Sequence, residues 1–278
     1  RGYGVYPSRF GNIYTVRQLL QTFERAYGLR EADPSVWVRG EKFVDPFRPQ
    51  IEADGFSTTE GLEADRATHL ASVRKMFEGC DVFIFTLGLT EGWQTENGNV
   101  VPLAPGVAGG PENPLAVYSK KNFSVNEMVS DFNRFLSLLR TVNPDVKVLL
   151  TVSPVPLIAT YEDNHVLQSN TYSKSALRVA AQSIVDENEN VFYFPSYEII
   201  TGLHNGNRYF EADLRSVTPE GVANVMSVFS KHYLGKQDQA DSTPSPIQKQ
   251  NETVKVDEVK GERHELYEII CDEEAVDP

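Results

Sequence analysis

Apolar positions along the chain follow two rhythms. At helical spacing stand Val16, Leu19, Leu20, Phe23 and Tyr27, opened by a capping box of Thr15 and Gln18 and stopped by Gly28. Glu60 to Phe77 reads as a second helix with Leu62, Leu70, Val73 and Phe77 turned inward. Ser124 with Glu127 opens a third, whose stripe is Val125, Met128, Val129, Phe132, Phe135, Leu136 and Leu139. It ends before Asn143-Pro144, because a residue preceding proline is pushed out of the helical region. Ser173 to Asp186 forms a fourth around Leu177, Ala180, Ala181 and Ile184. Thr218-Pro219, a cap followed by proline, starts a last helix expected to bury Val222, Val225, Met226, Phe229 and Tyr233.

The second rhythm is a set of short unbroken runs, Asp81 to Thr86, Val146 to Val152 and Val191 to Phe194. Because they do not alternate, they predict parallel strands covered on both faces. Strands and helices alternate from residue 81 onward, the α/β pattern. Two hairpins are expected beside this core. One runs from Val36 to Val44 across Arg39-Gly40, the other from Trp93 to Leu103 across the tight-turn pair Asn97-Gly98. No internal repeat is visible.

Composition narrows the function classes. Of 278 residues 40% are apolar, enough for an ordinary core, and 26 basic against 39 acidic side chains give a net charge of −13. That balance excludes a nucleic-acid binder, which needs clustered Lys and Arg, and a helix docking on anionic lipid. The last 43 positions, 236 to 278, carry 5 basic and 12 acidic residues with many Gln, Ser and Pro and no sustained apolar period. Such a composition does not offset the entropy of ordering, so a folded domain is expected over residues 1–235 and a disordered acidic tail over 236–278, with a short helix near Glu265 to Ile270 left open. Two cysteines, Cys80 and Cys271, allow neither a disulfide framework nor a Cys-rich zinc site and tilt the location toward cytoplasm. The histidines show no ligand-like spacing, so no metal or other cofactor is expected. The longest apolar runs fall far short of the roughly 20 residues of a membrane span. The chain opens with Arg1 and no signal-peptide pattern, which reads as a cut inside a longer protein.

In open parallel sheets ligands bind beyond the carboxyl ends of the strands. Those ends are the loops Thr86 to Trp93, Ser153 to Pro156 and Pro195 to Glu198, with a further contribution from Asp213 to Thr218. Six strings, spread over about residues 9 to 234, resemble the GSCFA-domain family. They are Phe10-Gly11-Asn12-Ile13-Tyr14-Thr15, Asp45-Pro46-Phe47-Arg48-Pro49, Thr86-Leu87-Gly88-Leu89-Thr90-Glu91, Thr151-Val152-Ser153-Pro154-Val155-Pro156, Tyr172-Ser173-Lys174-Ser175 and Phe194-Pro195-Ser196-Tyr197-Glu198-Ile199. That family in turn resembles the SGNH (GDSL-like) hydrolases. The resemblance implies a flavodoxin-like three-layer α/β/α sandwich with a mainly parallel central sheet, and acyl-ester hydrolysis or transfer. It also implies a serine in a Gly-Ser-Cys-Phe-Ala string, which is absent here. The nucleophile, with the first strand of the sheet, is therefore expected upstream of Arg1.

Of the other SGNH elements, the Gly-x-Asn-Asp loop falls on Gly88, Leu89, Thr90 and Glu91. This places the Gly88 amide and the Thr90 hydroxyl as oxyanion donors, against the plainer reading that Thr90 and Glu91 only satisfy loop backbone. The Asp-x-x-His element falls on Asp213, but Ser216 stands where the histidine belongs. His165 is the first choice for a base, and a lone loop histidine is more often structural. Trp93, Ser153, Lys174, Arg178 and Tyr197 are the candidate substrate-binding residues. Ser153 lacks a nucleophile elbow and suits loop fixing better. Lys174 and Arg178 read equally as an anion site at a helix start or as solvated charges. The substrate expected is a small-molecule or carbohydrate ester. The competing reading is a non-catalytic carbohydrate- or protein-binding domain that lost its base.

Overall fold

The computed structural model describes residues 8–33, 36–111 and 113–235. The expected tail, its short helix and Cys271 lie outside them. Thr15 accepts from the Gln18 amide while the Gln18 side chain accepts from the Thr15 amide, and this closed box starts α1 (Val16–Ala26). A hairpin follows, β1 (Trp37–Arg39) and β2 (Lys42–Val44), turning at Gly40 with φ 59° where glycine is needed. Thr58 caps α2 (Thr59–Gly79), which leads into β3 (Val82–Leu87). The second expected hairpin is β4 (Glu91–Thr95) with β5 (Val100–Val101), turning at Asn97-Gly98 with Gly98 at φ 74°. The sequence pattern missed a third partner, β6 (Tyr118–Asn122), which pairs antiparallel with β4 although its own residues are mostly polar. A second capping box, Ser124 with Glu127, opens α3 (Val125–Val142).

β7 (Lys147–Val152) pairs parallel with β3 and β8 (Val191–Tyr193) pairs parallel with β7, so the parallel sheet reads β3-β7-β8. Between them, α4 (Val166–Glu187) begins seven residues before the expected Ser173. Its first turns lack an apolar stripe and are held by polar contacts: His165 accepts from the Leu167 amide, and Asn170 accepts from the Leu157 amide. A short α5 (Ser196–Thr201) follows β8, and α6 (Pro219–Tyr233) comes last.

Phe85 and Leu87 of β3, Val148, Leu150 and Val152 of β7 and Val191 of β8 form one core with buried residues of α1, α2, α3 and α4. Eight aromatic contacts knit it, including Phe135 against Phe23, Phe77, Phe83 and Phe132. The opposite face corrects the expectation of double cover. Val82 and Ile84 are about half exposed, as is Phe192. Over β7 that face meets α5, where the Thr151 and Ser196 hydroxyls hydrogen-bond. The expected stripe of α6 is likewise not buried: Val222, Met226 and Tyr233 are exposed and Val225 and Phe229 half-buried. Only Gly221 of that helix is buried, because its Cα lies against Tyr209, Val217 and Ile200. The chain divides into two units, Arg1–Val225 and Met226–Pro278; described residues of the second are the last turns of α6, where Phe229 stacks on Tyr233, and Leu234-Gly235. Among the described residues no helix is long and apolar enough to cross a membrane.

Candidate functional site

The carboxyl ends of β3 and β7 lie side by side, and the Ser153 amide donates to the Leu87 carbonyl across them. Two elements converge there on the loop that follows β3. The Ser8–Tyr14 segment, leading into α1, turns its Tyr14 carbonyl toward the tip of β3, where it accepts from the Gly88 and Leu89 amides. The α4 helix presents Ser173 and Lys174, which are 1% and 2% exposed. The Thr90 hydroxyl donates to Ser173 Oγ at 3.2 Å, and Lys174 Nζ donates to the Gly88 carbonyl at 3.1 Å. One turn earlier on α4, the buried Ser169 hydroxyl has no hydrogen-bond partner among the described residues.

Gly88, Thr90, Lys174 and Ser153 are thus drawn into one polar cluster, with Ser173 as a member the sequence reading did not single out. Because the Gly88 amide is bound to Tyr14, the Thr90 and Ser173 hydroxyls are the donors whose hydrogens can rotate toward a new acceptor. Gly88 also sits so close to Tyr14 that a Cβ there would meet the Tyr14 carbonyl at 3.1 Å. Ser153 accepts from the Val155 amide, a contact that fixes its own loop.

Around this cluster the remaining candidates separate. Glu91, buried at the start of β4, accepts from the Thr160 hydroxyl at 2.7 Å and the Tyr161 amide at 3.0 Å. Its carboxylate therefore ties the 153–165 loop to the strand. Trp93 packs edge-on against Tyr161, and its buried indole N–H has no hydrogen-bond partner among the described residues. Lys174 and Arg178 do not stand at a helix start, since α4 begins at Val166. Arg178 instead pairs with Glu198 at 2.7 Å and covers the Tyr193 ring at 4.2 Å. Burial and the adjoining Glu198 carboxylate push the Tyr193 phenol upward. Tyr197 is half-buried beside them at the start of α5.

His165 and Asp213 are bound within their own segments. His165 Nδ1 caps α4. Asp213, exposed, accepts from the Arg215 amide, the Ser216 amide and, at 2.5 Å, the Ser216 hydroxyl, which holds its carboxyl below the usual range. Among the described residues, the hydrogen bonds of His165 and Asp213 stay within their own segments and do not reach Gly88, Thr90 or Ser173.

A second buried polar cluster was not anticipated as such. Asp45, 1% exposed, accepts from Arg48 and Arg66, and Arg48 also binds Asp65 at 2.8 Å. Gly11 lies so close to it that a Cβ would meet the Arg48 Cα at 2.9 Å. The signal was the string Asp45-Pro46-Phe47-Arg48, a charge pair spaced for one turn in apolar surroundings.

No curated protein is detectably similar to this chain. Residues 1–229 match the GSCFA family model, and the chain belongs to the GSCFA family.

Proposed function

We propose that this domain belongs to an acyl-ester hydrolase or O-acyltransferase of the SGNH type, whose attacking serine lies upstream of Arg1. The observation that carries this reading is the gathering of Gly88, Thr90, Ser173 and Lys174 at the paired carboxyl ends of β3 and β7. A parallel sheet puts its chemistry at that edge. In this reading a further strand seats along the outer edge of β3. Among the described residues the strands hydrogen-bonded to β3 are limited to β7. A helical layer over Val82 and Ile84 would complete the three-layer sandwich.

The roles follow from the contacts. The Thr90 hydroxyl rotates away from Ser173 Oγ to donate to the oxyanion that forms when the serine attacks an ester carbonyl. Gly88 shapes the loop, and Lys174 fixes it through the Gly88 carbonyl. Asp213 orients and His165 accepts the proton at Nδ1, which requires the Leu167 amide to release that nitrogen and both segments to close on the cluster once the ester is bound. Trp93, Ser153 and Tyr197 line the approach for a small or carbohydrate-linked acyl group, and the Arg178–Glu198 pair stiffens its far wall.

A second reading, a carbohydrate- or protein-binding domain that has lost its base, is favoured by Ser216 standing where a histidine would and saturating Asp213. A serine-directed fluorophosphonate separates the two. Protein extended upstream of Arg1 labels covalently and hydrolyses a short-chain aryl ester if the first reading holds, while the present chain does neither. Absence of both from the extended protein leaves the binding domain.

A further inference from the structure

The segment from Ser8 to Tyr14 has no regular structure, yet side chains of other elements hold it along its length. His69 Nδ1 donates to the Ser8 carbonyl, and Arg48 Nη1 donates to the Arg9 carbonyl at 3.3 Å. Arg9 itself sits at φ 49°, in the left-handed region, where a residue other than glycine persists only if its surroundings enforce it. Its guanidinium pairs with Glu52 and Asp65. Gln18 reaches the Asn12 carbonyl and accepts from the Tyr14 amide.

Arg48 is the firmest of these anchors. It is 3% exposed, and its remaining donors are committed to Asp45 and Asp65, so it cannot move without breaking buried ion pairs. Gly11 rests on its Cα, which is backbone and cannot turn aside. From Gly11 the chain reaches Tyr14 in three residues, a span of at most about 10 Å. There the Tyr14 carbonyl accepts from the Gly88 amide at 3.1 Å and the Leu89 amide at 2.9 Å, with Gly88 pressed against it. A link this short, in contact at both ends, has no slack to absorb a displacement. The next residue is Thr90.

We propose that Arg48 is a positioning residue: through the Ser8–Tyr14 strap it places the Gly88 and Leu89 amides, and so aims the Thr90 hydroxyl. The buried ion cluster then serves as a footing, in which Asp45 and Asp65 hold Arg48 and Arg48 holds the strap. The catalytic consequence rests on the acyl-transfer reading, whereas the coupling between Arg48 and the strand tip does not.

Amide hydrogen exchange of the whole chain, read residue by residue by NMR, tests that coupling. Gly11→Ala pushes the strap off Arg48 without altering any charge. Exchange at Gly88 and Leu89 is expected to quicken about tenfold or more, because those amides open with the strap. The Ser153 amide, bonded to the Leu87 carbonyl at the same strand tips, keeps its parent rate, as does the Phe194 amide on the Leu150 carbonyl. Arg48→Lys keeps the charge but lacks the fork that serves the Arg9 carbonyl and both carboxylates together, and it quickens the same two amides. Should Gly11→Ala fail to fold, Arg48→Lys carries the test. Unchanged rates at Gly88 and Leu89, or equal quickening at Ser153 and Phe194, overturn the proposal. In protein extended upstream of Arg1, Gly11→Ala lowers kcat on an aryl ester about tenfold at unchanged KM. An extended parent without turnover removes the acyl-transfer reading and leaves the exchange rates to decide the coupling.

Discussion

On one face of the parallel sheet Phe85, Leu87, Val148, Leu150 and Val152 lie sealed beneath α1 to α4, whereas on the other Val82 and Ile84 stand 50% and 52% exposed. The strands themselves do not account for the contrast. Val82-Phe83-Ile84-Phe85 is apolar at every position, so its composition suits two covered faces. What differs is the set of elements packed against each side: four helices against one, and the short α5 against part of the other. Strand composition thus records the cover a fold calls for, and burial records the cover the described chain supplies.

The sealed side is where single changes do most damage. Phe135→Ala removes a fully buried ring that touches four other aromatics, and is expected to cost about 3–5 kcal/mol in chemical unfolding, since the close-packed helices cannot collapse into the gap. Asp45→Asn should be comparably severe, about 3–5 kcal/mol, for an electrostatic reason: it leaves Arg48 and Arg66 as buried charges without their shared counter-ion. A loss below 1 kcal/mol for either variant would mean that this side is less tightly closed than its packing implies.

Next in size is a pH effect confined to the same side. His69 is 5% exposed and titrates near 4 when folded, against roughly 6.5 when unfolded. Between those values the unfolded chain binds a proton that the folded chain refuses. Stability attributable to His69 is therefore complete above pH 6.5 and declines as pH falls toward 4, by up to about 3 kcal/mol. Asp45, whose folded carboxyl is held below its ordinary value by Arg66 and Arg48 against the cost of burial, contributes its own loss at lower pH still. Subtracting the unfolding profile of His69→Asn from that of the parent should isolate the first window; an unchanged slope between pH 6.5 and 4 would remove His69 from the account.

How much of this was legible depended on whether the cause was local. The boxes Thr15–Gln18 and Ser124–Glu127 were readable because cap and reciprocal partner lie three residues apart, and both form. Asn97-Gly98 marked a turn for the same reason. The start of α4 was not readable, because Val166 to Tyr172 shows no apolar period and is held by His165 and by the contact of Asn170 with Leu157. Nor was β6, a polar segment made a strand by its ladder to β4. At the strand tips, Gly88 and Thr90 were singled out because the SGNH-like Gly-x-Asn-Asp element falls on their loop. Ser173 lies 83 positions from Thr90, and only the fold brings the two hydroxyls within 3.2 Å. The burial of Arg25 over the Phe47 ring has no sequence signal, since a basic residue near a helix end ordinarily reads as a favourable dipole partner.

The smallest expected effect decides most about the open face. Ile84→Ala deletes an apolar side chain of which about half is already in water, so it should cost about 1 kcal/mol or less in this chain, well under the loss at Phe135. The same substitution reads differently in protein extended upstream of Arg1. If a further strand and helix cover Val82 and Ile84 there, Ile84 becomes a core residue and the cost rises into the range of about 2–5 kcal/mol. Paired denaturant titrations of the two lengths, parent and variant, give that difference directly. Equal costs in both would show that the exposed face of β3 remains open in the longer protein, and the helical layer over Val82 and Ile84 that the three-layer sandwich requires would then be missing.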